Sequence, residues 1–468
     1  MAFFGNTPRT DNPTRSRWWR LDGLQGWRTL IDWRVHVRNP VLLPGYVPAD
    51  ASPKAQQLLR TLYALEIAKL GHPGPIKRAL MVAGWAGFTT AACAINFIRY
   101  RPVIRRTLPD IGDGAHLRRL LISAFFNNIA PSEFYLLKFY VAKFYARRRH
   151  YLLRWQSNTL LRHAFPTGPA RKLANKHSLW QVLSAAGLPT TPMWALVHQG
   201  RWLEGNWEDV AARCGDLVIK PSNQSLGRGI VFLDHQANGH WRFEGRRLTS
   251  AEAREAVEIR SHAHPLLLQP RLENHPALAV YGTRGLITLR LVTMKTRAMT
   301  EPVCVSAALR IPGTESRVVT GLETSHDRDD FSKDAVACPV DLDTGELGPG
   351  TGGAPAAEHL LAHPATQAPL AGQMLPHWNA CKALCLEAHR LEPGLNSMGW
   401  DVALTPDGPK LLEANLRWGT RVLQLCQRIP ILDTPFVDYY ERPADVEPAR
   451  AADSRPSAPT DVLRSNTT

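Results

Sequence analysis

Several things this 468-residue chain does not have narrow its identity. Its seven cysteines (Cys93, Cys214, Cys304, Cys338, Cys381, Cys385 and Cys426) are odd in number and scattered, with no Cys-x-x-Cys pair. That argues against a disulfide framework or a thiolate zinc site and suits a reducing cytoplasm. The 17 histidines show no metal-ligand spacing. There is no Gly-x-x-x-x-Gly-Lys-[Ser/Thr] phosphate loop leading into a helix, and no internal repeat. The N-terminus is polar and rich in Arg and Trp, unlike a cleavable signal peptide. Acidic residues are scarce in one region only: residues 1–163 carry 25 Lys+Arg against 8 Asp+Glu, and the remaining 305 residues carry 31 against 33. The net charge of +15 is therefore local. It implies an anionic neighbour for that region, membrane lipid before nucleic acid, and the chain as a whole does not read as a nucleic-acid binder.

Long apolar runs are also few. One, "ALMVAGWAGFTTAACAINFI" (79–98), holds twenty uncharged residues between Lys77/Arg78 and Arg99/Arg101. Its length suits a membrane crossing, but its Ala, Gly and Thr content, Asn96 and basic flanks on both sides equally suit a core helix. A second basic stretch, "FYLLKFYVAKFYARRRHYLLRW" (134–155), mixes aromatics with Lys and Arg. It reads as a helix on an anionic membrane surface or as the basic flank of a core helix. Residues 1–163 form a basic, mostly helical region, 164–440 a mixed α+β domain, and 441–468, rich in Pro, Ala, Ser and Asp, a disordered tail. Within the second part, a helix ends at Gly187, strands are expected at 216–221, 229–233, 265–272 and 285–294, and a helix at 250–262. Residues 345–375, rich in Gly, Pro and Ala, read as a long loop or excursion.

The stretch "GWDVALTPDGPKLLEAN" (399–415) carries chemistry. "TPDG" predicts a tight hairpin with Gly408 left-handed. In a three-residue loop Thr405 pairs with Pro409, and counting back sets Asp401 opposite Glu413, with Asn415 on the same face. Two adjacent carboxylates repel unless a hard dication lies between them, so Asp401, Glu413 and Asn415 are candidate Mg²⁺ ligands. Upstream, "LVIKPSNQSLGRGI" (217–230) puts Lys220 at a strand end before a flexible loop containing Ser222, Ser225, Gly227 and Gly229. Its backbone N–H groups can wrap phosphate oxygens.

Strand-Lys, Ser/Gly-rich loop, then Asp…Glu-x-Asn resembles the ATP-grasp superfamily, and more narrowly the sugar-transfer-associated ATP-grasp proteins. Other supports are "NKHSLWQVLSAAGLPTTP", "LLLQPRLENHP", "TLRLVT", "AALRIPG" and "PVDLDTGELG", over roughly residues 165–437, with "NNIAPSEFY" (127–135) upstream. The resemblance implies an α+β ATP-grasp fold, two subdomains clasping ATP, behind the helical N-terminal region. It implies that Lys176 and Lys220 grip the nucleotide and that the 222–229 loop closes over its phosphates. Gln269 and Leu272 would border the adenine and Glu273 the ribose. Asp401, Glu413 and Asn415 would hold one or two Mg²⁺ ions. Arg290 and Arg310, with Lys220, would stabilise the transferring phosphoryl group, although a strand arginine paired with a nearby acid is the plain alternative for Arg290.

The expected function is an ATP- and Mg²⁺-dependent ligase that activates a carboxylate as an acyl-phosphate and joins it to an amine. Its substrate would be a small or glycan-linked molecule of the cell envelope, and its location the cytoplasm, associated with or anchored in the inner membrane. A phosphotransferase on the same fold, and a non-catalytic scaffold binding membrane or nucleic acid, are the alternatives.

Overall fold

A computed structural model describes residues 47–70, 74–163, 171–224, 227–317, 335–352 and 359–440. The expected tail 441–468, Ser225 and the first 46 residues lie outside them. Among the described residues the strands form two antiparallel sheets. The seven-stranded sheet runs β2 (Arg201–Glu204), β1 (Ala195–His198), β7 (Leu266–Pro270), β3 (Leu217–Pro221), β4 (Val231–Gln236), β5 (His240–Phe243) and β6 (Arg246–Leu248). The six-stranded sheet runs β11 (Thr351–Gly352), β10 (Val336–Pro339), β9 (Val303–Ile311), β8 (Thr288–Met294), β12 (Ser397–Thr405) and β13 (Gly408–Asn415).

The helices that matter to the site are α1 (Pro53–Leu70), α2 (Pro75–Thr107), α3 (Asp113–Leu121), α4 (Lys176–Ala185), α5 (Ser250–Arg260), α6 (Trp378–Arg390) and α7 (Thr420–Gln427). Local chemistry sets their ends. Asn175 accepts from the His177 and Ser178 N–H groups to start α4, and Gly187, at φ 68°, takes the left-handed turn just past its end. Thr249 and Glu252 cap each other to start α5.

Alternation along β8 divides two cores. Leu289 and Leu291 join Trp400, Val402, Leu404 and the buried side of α6. Val292 on the other face joins Trp418, α7 and the N-terminal helices. A third core fills the space between the seven-stranded sheet and α5. The N-terminal helices thus share one core with the six-stranded sheet and the C-terminal segment, across the boundary expected near residue 163. His150, Asp433 and Asp50 add a polar tie, at 2.6 and 3.1 Å.

One expectation needs correction. Residues 134–155 form no single surface helix; they break into short helical turns, and Phe134, Tyr135, Leu136, Leu137, Phe139 and Tyr140 are buried in the shared core. So many large aromatics in one stretch bury more area by folding inward than by lying on a surface. Among the described residues, 345–352 and 359–375 form a packed excursion: β11 lies within it, single bridges tie Glu346 to Met374 and Ala362 to Pro369, and Leu347, Leu370 and Leu375 are buried.

Candidate active site

The hairpin reaches its register by a different route from the one its sequence suggests. Thr405 pairs with Gly408, so the loop is only Pro406 and Asp407, with Gly408 at φ 110°. That register alone would place Asp401 opposite Leu412. A bulge between Asp401 and Val402 leaves Leu412 as the extra residue and returns Asp401 to Glu413 and Gly399 to Asn415. The two errors cancel, and the three polar side chains share a face.

Asp401 also pairs with Arg290 on β8, and Arg310 on β9 pairs with Thr288, two residues from Arg290 on the same face. A charged row thus crosses four strands. Arg290 Nε donates to Asp401 Oδ1 at 2.5 Å and its Nη2 to Oδ2 at 3.1 Å. Arg310 Nη2 lies 3.0 Å from Oδ1, and Asn415 Nδ2 donates to Oδ2 at 3.4 Å. Burial pushes the Asp401 carboxyl up, but the two guanidinium groups outweigh it and hold it below the usual carboxylate range. The neighbouring-acid reading of Arg290 is what the geometry shows, and Asp401 binds both arginines.

The second charged group gathers where the two sheets meet. Lys176 opens α4; its backbone N–H donates to the Ser222 carbonyl at 3.0 Å. Its Nζ donates to the Gln224 carbonyl and lies 3.4 Å from Glu413 Oε1. Lys220, next to last on β3 and half-buried, is pushed down to about 8 by burial and by Lys176, with Glu413 opposing. Ser222 is buried. Gly227 and Gly229 take φ 68° and 72°, and a Cβ on Gly229 would stand 2.8 Å from Pro221, so the loop returns close over its own strand through glycine.

Gln269, buried on β7, donates from Nε2 to the Thr191 carbonyl at 3.2 Å, and its Oε1 has no partner among the described residues. Leu272 is half-buried just past the strand end and Glu273 is exposed. The structure therefore brings together Lys176, Lys220, Ser222, Arg290, Arg310, Asp401, Glu413 and Asn415, with Gln269 on the adjoining strand and Leu272 just past its end. Glu273 lies at the surface, and Ser225 is outside the described residues.

Three contributors had not been singled out in the sequence. Thr288 Oγ1 accepts from Arg310 Nε and Nη2 at 3.2 and 3.0 Å. The Trp418 carbonyl accepts from Arg290 Nη1 at 2.7 Å. Gly399 admits the Trp418 side chain, into which a Cβ there would collide. Thr288 and Gly399 lie within the quoted "TLRLVT" and "GWDVALTPDGPKLLEAN", and Trp418 in "NLRWG" (415–419).

The donor chemistry fits Mg²⁺ in part. Glu413 is half-exposed, and its carboxylate and the Asn415 Oδ1 are hard oxygens of the kind Mg²⁺ takes. Asp401, as arranged, already receives four N–H donors on its two oxygens, which fills its in-plane lone pairs. Among the described residues no three His, Cys, Asp or Glu side chains gather as a metal cluster.

The fold is that of an ATP-grasp protein. The chain belongs to the sugar-transfer associated ATP-grasp family, which it matches over residues 156–433. No curated protein matches it. Among solved structures it is similar to L-amino acid ligase from Bacillus licheniformis, at 12% identity over 62% of this chain and 54% of that one, TM-score 0.34. It is also similar to N5-carboxyaminoimidazole synthase from Aspergillus clavatus, bound to ADP and 5-aminoimidazole ribonucleotide (13%, 60% and 53%, TM-score 0.31). D-alanine-D-alanine ligase from Coxiella burnetii gives 11%, 52% and 47%, with TM-score 0.28. The chain spans about half the length of these three proteins, and likeness at this distance carries no functional argument.

Proposed function

We propose that the protein is an ATP-dependent ligase that activates a carboxylate as an acyl-phosphate and passes it to an amine. One observation carries this reading: four cations, Lys176, Lys220, Arg290 and Arg310, face only two carboxylates, Asp401 and Glu413, at the junction of the sheets. Such a surplus, partly desolvated, suits the charge of a triphosphate. Lys220 and the backbone N–H groups of the 222–229 loop would hold the phosphate oxygens, and Lys176 would tie that loop to Glu413. Glu413 and Asn415 would hold Mg²⁺, which when bound would neutralise phosphate oxygens.

In the reaction a substrate carboxylate oxygen attacks the γ-phosphorus and the bond to ADP breaks. The amine then attacks the acyl carbon, loses a proton, and phosphate leaves. Lys220, Arg290 and Arg310 offset the charge that spreads over the phosphoryl oxygens; Asp401 keeps both guanidinium planes aimed. No nucleophilic side chain is required. The family's sugar-transfer description supports a glycan-linked or amino-sugar substrate of the cell envelope.

The test is ATP turnover across amino acids and amino sugars, with phosphate and amide quantified together. The expected result is phosphate released in step with amide, and a loss of about 10²–10³-fold in Lys220→Ala with folding intact. Phosphate retained on the acceptor would make the protein a phosphotransferase, and undiminished turnover in Lys220→Ala would remove this site.

A further inference from the structure

Helix α2 runs 33 residues and is long and apolar enough to cross a membrane, yet only 22% of its apolar window is buried. At 3.6 residues per turn its residues sort into two arcs. Trp85, Thr89, Ala92, Cys93, Tyr100 and Ile104 are buried and lie on one side. On the other, Ile76, Leu80, Phe88, Ile95 and Ile98 are 78, 69, 37, 49 and 66% exposed, with exposed Ala83, Gly84, Gly87, Ala91 and Ala94 between them. No charged residue interrupts positions 79–98; Lys77 stands before the run, and Arg99, Arg101, Arg105 and Arg106 follow.

The buried arc is anchored along its length. Trp85 meets Phe125 edge-on at 5.4 Å, Phe97 meets His116 at 4.9 Å, and Tyr100 stacks on Tyr135 at 4.2 Å. A helix held this way cannot turn across a bilayer without stripping these contacts or drawing α3 and its arginines into hydrocarbon. It can lie flat, its outer arc sunk at the boundary between headgroups and acyl chains.

We propose that α2 is an in-plane membrane anchor that docks the protein on an anionic bilayer. The exposed Ile and Leu side chains enter the lipid, and the exposed Lys77 and Arg106 meet its phosphates, Arg101 and Arg105 being paired with Asp113. Charge selects this occupant: residues 1–163 hold 25 Lys+Arg against 8 Asp+Glu, and basic residues bracket the apolar arc at both ends. The inference does not depend on the ligase reading.

The experiment is sedimentation of the full chain with vesicles of phosphatidylglycerol and phosphatidylcholine, or of phosphatidylcholine alone. Wild type is expected to pellet with the anionic vesicles, less so in high salt. The Leu80→Asp/Ile95→Asp/Ile98→Asp variant, changed only at exposed positions, is expected to lose roughly tenfold or more of this binding with an unchanged circular-dichroism melt. Wild type left in the supernatant overturns the proposal, as does a triple variant that pellets equally well, the outcome expected if residues 1–46 cover the arc. A wild-type dimer in vesicle-free solution that the triple variant makes monomeric would assign the arc to a second copy instead. Resistance of the membrane-bound protein to alkaline carbonate extraction would make α2 a span and overturn the in-plane reading.

Discussion

The two charged groups of the site are built on opposite terms. On the six-stranded sheet, Asp401 takes four N–H donors from Arg290, Arg310 and Asn415, so both guanidinium groups are tied to the one carboxylate. Where the sheets meet, Lys176 and Lys220 share Glu413, and burial drives Lys220 down to about 8. Each group sets two cations against one carboxylate, but the first is closed by hydrogen bonds, whereas the second holds a lysine perturbed in the direction that an incoming anion would reverse. A residue can therefore be indispensable to the site by holding other residues in place, or by leaving charge for a ligand to meet.

The contrast can be broken by substitution, and the largest effect is expected at Asp401. Asp401→Ala strands two buried guanidinium groups and should destabilise the fold by about 3–5 kcal/mol, read from urea denaturation midpoints. Lys220→Met should leave stability unchanged or raise it at neutral pH, since burying the ammonium is a cost. If the two variants melt alike, the distinction between the groups fails. The carboxyl of Asp401 is depressed in the folded state, so its contribution is complete above the ordinary carboxylate pKa and is lost as pH falls through and below that range.

A smaller effect tests the closed group through its packing. A Cβ at Gly399 would meet the Trp418 side chain, whose carbonyl holds Arg290. Gly399→Ala should cost about 1–3 kcal/mol and reduce turnover by displacing Arg290, so a variant with wild-type stability and turnover would show that Trp418 does not seat Arg290.

The smallest effect sharpens the open group. Lys220, down to about 8 in the free protein, should regain its proton when a triphosphate binds. ATP affinity should then be full below pH 8 and weaken above it, with proton uptake on binding greatest just above that pH. Calorimetry in buffers of different ionisation enthalpy measures this uptake, and Lys220→Met should abolish it. Equal uptake in that variant would assign the proton elsewhere.

Much of this was legible in the chain because it depends on short-range pattern. The α+β domain, the helix stop at Gly187 and the strands around Lys220 and Arg290 all follow from alternation and turn chemistry, whereas the facing of Asp401 with Glu413 was reached by a register that only the bulge restores. The loop size was not legible, because a bulge at Leu412 compensates for a tighter turn, and bulges leave little mark on hydrophobic alternation. The partners of Asp401 were not legible either: Arg290 and Arg310 lie 111 and 91 positions away in sequence, and only strand order makes them neighbours. Nor was the inward packing of residues 134–144, since basic and aromatic residues alternate there as they would on a membrane-facing helix.

The sequence by itself determined which groups could carry the chemistry: Lys220, two carboxylates, an amide and a glycine-rich loop through local pattern, and Lys176 through the family resemblance. Only the tertiary structure decided how those charges are shared, giving Asp401 to the arginines and Glu413 to the lysines, and leaving one arc of α2 facing outward. Local preferences act over a few residues, whereas the pairing of charges and the burial of a helix face depend on which distant segments the two sheets and the shared core bring together.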